Sequence, residues 1–373
     1  MGIKETFAPI NRYLQLLGHY LNNEKPNDFS LSEEEIEGFT KFAHRHSLSA
    51  LTYKALSFIG VESKQLEQRY YASLKKSVLF EQERKELYEY LNENQIDFLP
   101  LKGIILKDYY PDPYTREFAD NDILFNDDKD RLVKKFFTER YYKVEQFGKS
   151  NHDVYMKKPC LNFEMHRLLF GETVDSEVII KYFENFIKTS PIKEGYEHYL
   201  KPEDFYIYFT AHTYKHYSHS GCGLRTLVDY YLFQRSNELD FEYINQELAK
   251  LNLLNFSNLI SKLSRIALSG KELGDDDLET LYFMSLSGTY GTLENNVNRG
   301  VAKKGRFRYI MSRIFPPMST YKALYPWAYK TKVLIPVAWF VRFFRIIFTN
   351  PKRAVKEIKT ASKSTAKKDK NSK

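Results

Sequence analysis

Asp120 and Asp122 stand two residues apart in the run Arg116-Glu117-Phe118-Ala119-Asp120-Asn121-Asp122-Ile123-Leu124-Phe125. On an extended chain alternate residues share a face, so the two carboxylates project side by side while Ile123 and Phe125 turn toward a core. Adjacent carboxylates disfavour double ionisation unless a cation lies between them, and hard oxygen donors suit Mg²⁺ or Mn²⁺. Glu164 and His166, in Asn162-Phe163-Glu164-Met165-His166, share a face in the same way on a strand that can pair beside the first. Three carboxylates can hold two metal ions, the arrangement that activates an attacking hydroxyl and neutralises a leaving phosphate. Asp-x-Asp pairs are also common at strand edges and turns without any ligand, and His166 fits a structural hydrogen-bond partner as well as a group that orients a carboxylate or touches substrate.

A second cluster runs from His212 through Lys215, His216 and His219 to Cys222, followed by Arg225 and Asp229. Two histidines four apart on a helix can chelate zinc, with His219 and Cys222 completing a tetrahedral set. Against this, Gly221 and Gly223 loosen the connection and no Cys-x-x-Cys accompanies it. A helix junction held by hydrogen bonds, with no ligand, is the other reading.

The elements that would carry these groups follow from periodicity. Residues 1–94 read as a helical region: Ser32 and Glu35 form a capping box, and Leu66, Tyr70, Leu74 and Val78 make an i+4 stripe continuing through Leu87 and Leu91. Over residues 95–175 the pattern becomes strand, turn, helix, loop: an apolar run from Ile96 to Leu101, a helix over Gly103–Tyr110, and a strand over Phe118–Phe125. A helix at Asp128–Arg140 follows, then strands near Tyr142–Phe147, Asp153–Lys157 and Asn162–Arg167 with antiparallel pairing toward the end. Residues 176–315 read as a helical domain, with Pro202 at a first helical position and Phe205, Tyr208, Phe209 and His212 on one face. An apolar, aromatic segment (316–350) and a basic, disordered tail (351–373) complete the chain.

The chain has 373 residues, room for two or three units that each bury a core. Its net charge of +8 is concentrated at one end, because residues 352–373 hold nine Lys or Arg against two acids. The body that remains is nearly neutral, which argues against a long nucleic-acid substrate. Two cysteines and no signal-peptide pattern point to a reducing, cytoplasmic setting.

The stretch from Leu99 to Leu124 carries Leu-Lys-Gly, an Arg four residues before the first of two aspartates, and then Phe-Glu-Met-His-Arg about forty residues on. It resembles the uncharacterised nucleotidyltransferase family of the polymerase-beta-like superfamily. The resemblance implies an α+β fold: a small mixed nucleotidyltransferase palm sheet flanked by N-terminal and C-terminal helical regions. Asp120, Asp122 and Glu164 would be the catalytic, metal-binding carboxylates, with two Mg²⁺ or Mn²⁺ ions. Lys102 and Gly103 would stand where the superfamily has a Gly-Ser pair on the nucleotide phosphates. Arg116 would reach a triphosphate, unless it forms a surface salt bridge with Glu117 or Asp112. Lys215 and Arg225 would bind phosphate, with Asp229 fixing Arg225 or a ribose hydroxyl.

The implied activity moves a nucleoside monophosphate from an NTP, such as ATP, to a hydroxyl of a small molecule, sugar or protein. Lys102 and Asn121 depart from the family pattern, and they support the alternative: an inactive binding or scaffold protein of an envelope biosynthetic complex. Val333–Phe348 is strongly apolar but too short to span a bilayer and is interrupted by Arg342 and Arg345. With the basic tail, residues 333–373 suit peripheral contact with an anionic membrane, at its inner face for a cytoplasmic protein. The competing reading packs that helix on the body.

Overall fold

In the computed structural model the described residues are 3–364, apart from 172–175, 270–274, 290, 317, 319, 322–324 and 350. Three helices, α1 (Ile3–Leu21), α2 (Glu33–His46) and α3 (Ser49–Phe58), precede the long α4 (Lys64–Glu93). The Ser32/Glu35 capping box is formed in both directions, the Glu35 amide on Ser32 Oγ at 3.2 Å and the Ser32 amide on Glu35 Oε2 at 2.9 Å. Helix α4 buries the two ends of the expected stripe, Leu66 and Leu87 with Leu91, but not its middle. Leu66, Ser73, Ser77, Phe80, Arg84, Leu87 and Leu91 face the core, whereas Val78 is 48% exposed. The inward row alternates steps of three and four, and it includes an arginine and two serines that a purely apolar count passes over.

The sheet has seven strands in the order β3-β4-β5-β2-β1-β7-β6. These are β1 (Phe98–Pro100), β2 (Asn121–Phe125), β3 (Lys143–Gln146), β4 (His152–Lys157), β5 (Leu161–His166), β6 (Ile192–Glu194) and β7 (Glu197–His198). β3, β4 and β5 form an antiparallel meander, whereas β5 lies parallel to β2, which is antiparallel to β1. The expected helix over Gly103–Tyr110 is shorter: α5 (Gly103–Leu106) gives way to a 3-10 turn at Lys107–Tyr109. β6 and β7 fall inside the stretch read as helical; β7 pairs with β1 and extends the sheet. At two and three residues each, they are too short for an alternation to register.

Each face of the sheet has its own cover. Ile123, Phe125, Tyr155, Phe163 and Met165 pack against Phe80, Leu87 and Leu91 of α4 and against Val133, Phe136 and Phe137 of α6 (Asp130–Glu139). On the other face Leu99, Leu101 and Leu124 join a larger core shared by α1–α3 with α9 (Pro202–His219), α10 (Arg225–Ser236), α11 (Phe241–Lys250), α12 (Leu254–Leu268) and α13 (Asp275–Ser287). Between these helices come the short α7 (Glu177–Tyr182) and α8 (Phe186–Thr189). The architecture is α+β, a mixed sheet with helical flanks.

Beyond it lie α14 (Leu293–Lys304), α15 (Arg306–Ile314), α16 (Pro326–Thr331), α17 (Ile335–Thr349) and α18 (Pro351–Lys363). The basic segment read as disordered is helical from 351 to 363. It is anchored by buried Ala361 against Val297, Val301 and Tyr309, and by the Tyr309 hydroxyl donating to Glu357 at 2.7 Å. Those few residues are what composition alone misses; 365–373 lie outside the described residues. No helix among the described residues is long and apolar enough to cross a membrane.

Candidate active site

Strand register brings the carboxylates together. Asp122 and Glu164 are Cα partners in the parallel β2–β5 pair, and His166 is partnered with His152 across β5–β4. Alternation turns these four side chains away from the aromatic layer. With Asp120, which immediately precedes β2, they line one cleft of about 390 Å³ closed on its far side by α9 and α10. Lys102, Gly103, Arg116, Lys215, Arg225 and Asp229 line the same cleft, so every site residue expected from the sequence reaches it.

Asp122 is buried and doubly held. Lys102 Nζ donates to Asp122 Oδ1 at 2.6 Å, and His166 Nε2 lies 2.8 Å from the same oxygen. The ionised carboxylate only accepts, so His166 carries its proton on Nε2. Burial pushes Asp122 up, but Lys102 and His166 outweigh it and hold the carboxyl below its usual range. The lysine expected on phosphate is thus an ion-pair partner of the first metal-ligand candidate. Its backbone has φ +47° and ψ −113° between β1 and α5, a conformation that costs an L-residue of order 1–3 kcal/mol.

Asp120 and Glu164 behave oppositely to Asp122. Burial first, then the charge of Asp122, raises Asp120; Glu164 is pushed up to about 7 by burial, then by Asp122 and Asp120. Beneath β2, Asn121 points into the aromatic layer, where its Oδ1 accepts from the buried Arg84 Nη1 at 2.6 Å. A polar residue at 121 therefore answers a buried arginine on α4, a pairing that no local pattern signals.

Arg116 and Asp229 are neither on the surface nor free for a ribose. Arg116 Nε and Nη2 donate to the two oxygens of Asp229 at 2.8 and 2.9 Å, both side chains buried, and the Tyr110 hydroxyl adds a bond at 2.8 Å. This corrects the surface pairing of Arg116 with Glu117 or Asp112 and the pairing of Asp229 with Arg225. Arg225 instead donates to the Glu117 carbonyl, while Glu117 Oε1 takes the Ala50 amide at 2.8 Å. A Cβ at Gly103 would stand 2.8 Å from Arg116 Nη1, so a larger residue there would have to push that guanidinium aside.

On α9, His212 and His216 face each other with Nε2 atoms 3.3 Å apart, while His219 Nδ1 turns back to the Lys215 carbonyl at 2.8 Å. Cys222 is buried, its thiol pushed up to about 12 by burial. Among the described residues the three whose donor atoms all lie within 4.8 Å of one another are His152, Glu164 and His166; neither the zinc set of α9 and Cys222 nor the carboxylates of Asp120, Asp122 and Glu164 stand that close as a group. Sequence reasoning missed His152. Its signal was weak: it opens a strand whose other residues on the same face are Val154 and Met156.

The family model described as an uncharacterised nucleotidyltransferase matches residues 32–268, from the α2 cap to the end of α12, about two thirds of the chain. No curated protein and no solved structure matches. That span contains the whole cleft sheet and the helices that close it, and it supports nucleotidyl transfer in general. The chain belongs to the uncharacterised nucleotidyltransferase family.

Proposed function

We propose that this protein moves a nucleoside monophosphate from an NTP to a hydroxyl of a small molecule, a sugar or a protein, with pyrophosphate leaving. The observation that carries the reading is the register of Asp122 with Glu164, which sets three carboxylates with Asp120 in one cleft of the family's matched region. Their all-oxygen donor set suits two Mg²⁺ or Mn²⁺ ions held by Asp120, Asp122 and Glu164. Bound there, the ions neutralise phosphate charge and make the acceptor hydroxyl more acidic.

The remaining roles belong to the chain's own groups. Glu164 stands near the acceptor and holds its proton. Lys102 keeps a positive charge on Asp122 in the free protein and, lining the cleft, would turn to a phosphate when one binds there. Lys215 and Arg225 add positive charge on the opposite wall, and the Arg116–Asp229 pair fixes that wall against β2. The nearly neutral body favours a small or proteinaceous acceptor over nucleic acid. Calorimetric titration of each of the four NTPs with Mg²⁺ or Mn²⁺ tests the reading. Metal-dependent binding by the wild type, lost in Asp120→Ala/Asp122→Ala, is expected. No binding by the wild type would sink transfer and favour the scaffold alternative.

A specific observation also favours peripheral membrane contact through residues 333–373. α17 leaves Phe340, Phe343, Phe344 and Phe348 exposed, the last at 81%, and lysine-rich α18 follows it directly. Such a face beside basic residues suits an anionic lipid surface.

A further inference from the structure

The ring of His152 is mostly buried yet has no hydrogen bond to the described protein. Its Nδ1 is buried without a partner, and its Nε2 stops 3.7 Å short of Glu164 Oε2. His166 approaches the same oxygen from the other side, with Nε2 at 3.8 Å, and its Nδ1 is likewise buried and unpartnered. The two rings lie 5.0 Å apart on paired strands, so the sheet itself holds them in place. A histidine kept only for structure would use its ring nitrogens on neighbouring polar groups; His152 instead aims its Nε2 edge at a carboxylate and a second imidazole.

We propose that His152, Glu164 and His166 bind a first-row transition-metal dication of the zinc class, with an open position toward the cleft. Two imidazoles and a carboxylate are the donors such ions prefer, whereas Mg²⁺ asks for oxygen and keeps its water. Around a tetrahedral ion with bonds of about 2.0–2.1 Å, donors stand roughly 3.4 Å apart. The present separations of 3.7 and 3.8 Å, with all three atoms within 4.8 Å, need only small side-chain rotations to close. Ligation uses the Nε2 lone pair, so the proton His166 now gives to Asp122 moves to the unoccupied Nδ1. The site rests on β4 and β5 alone and goes beyond the transfer reading; sharing Glu164 makes it adjacent to the aspartates.

The test is titration of metal-free, full-length protein with Co²⁺, without nucleotide, followed by visible absorption. One equivalent should give a tetrahedral ligand-field band that stoichiometric Zn²⁺ displaces and millimolar Mg²⁺ does not. His152→Ala and His152→Gln, each checked for an unchanged melting temperature, should weaken binding by roughly tenfold or more. Asp120→Asn, outside the donor set, should leave the band intact while removing metal-dependent NTP binding, which separates this site from the transfer reading. Absence of the band in the wild type, or equal affinity in both His152 variants, overturns the proposal.

Discussion

The sheet cleft and the C-terminal helices use charged and aromatic residues in opposite ways. At the cleft and beneath its sheet several charges are held by a partner: Lys102 on Asp122, Arg116 on Asp229, Arg84 on Asn121. The aromatic residues there form a closed layer under the sheet. Among the described residues beyond 293 the cores are small, four residues around Val297 and Tyr309 and four around Tyr321 and Tyr325, and large side chains of α17 face outward. A region that positions chemistry must over-determine its side chains, because a buried charge without a partner costs several kcal/mol. A region that meets something else can leave apolar area uncovered, each Å² worth about 25 cal/mol only when a partner arrives.

Asp229→Ala should break the first region most severely. It strands Arg116 between β2 and α10 and leaves the Tyr110 hydroxyl unpaired, at a cost of about 3–5 kcal/mol in denaturant unfolding. A loss under 1 kcal/mol would mean that the pair is not what joins the sheet to the helical lobe.

His46 tests the same region through pH. Its Nδ1 accepts the Leu224 amide at 3.2 Å while Nε2 lies 3.0 Å from the Ser285 carbonyl, tying α2 to α10 and α13. Burial holds it down to about 4 from 6.5. The unfolded chain therefore takes up a proton that the native state refuses. The contribution is whole above pH 6.5 and is lost as pH falls toward 4, by about 3 kcal/mol. Stability curves of wild type and His46→Gln across that interval should converge at low pH; parallel curves would remove His46 from the account.

The smallest effect on stability is expected in the second region. Phe340→Ser/Phe344→Ser/Phe348→Ser should stay within about 0.5 kcal/mol of wild type, as exposed positions do. The same variant should lose sedimentation with anionic vesicles. A loss above 2 kcal/mol would mean that this face packs on the body, and unchanged sedimentation would remove the membrane from the proposal.

Much of the site was legible because short-range periodicity carries it. Alternation alone puts Asp120 with Asp122, and Glu164 with His166, whichever strands pair. The Ser32 cap, the start of α9 at Pro202 and the helix before β3 were readable for the same reason: cap, proline and apolar spacing act within a few residues. The middle of the inward face of α4, the β6–β7 pair and the ordered start of the basic segment were not. Each is decided by contacts with elements distant in sequence: Arg84 with Asn121, β7 with β1, Ala361 with Val301.

The sequence by itself determined which side chains can do chemistry, which faces they share, and the family to which the chain belongs. Tertiary structure alone decided who meets whom: that β5 lies beside β2, that β4 delivers His152 to Glu164, that Lys102 rests on Asp122 and Arg116 on Asp229. The reason is physical. Side-chain direction follows from local backbone geometry, whereas a buried charge must find its partner wherever the sheet order and the helix packing bring one within hydrogen-bonding distance.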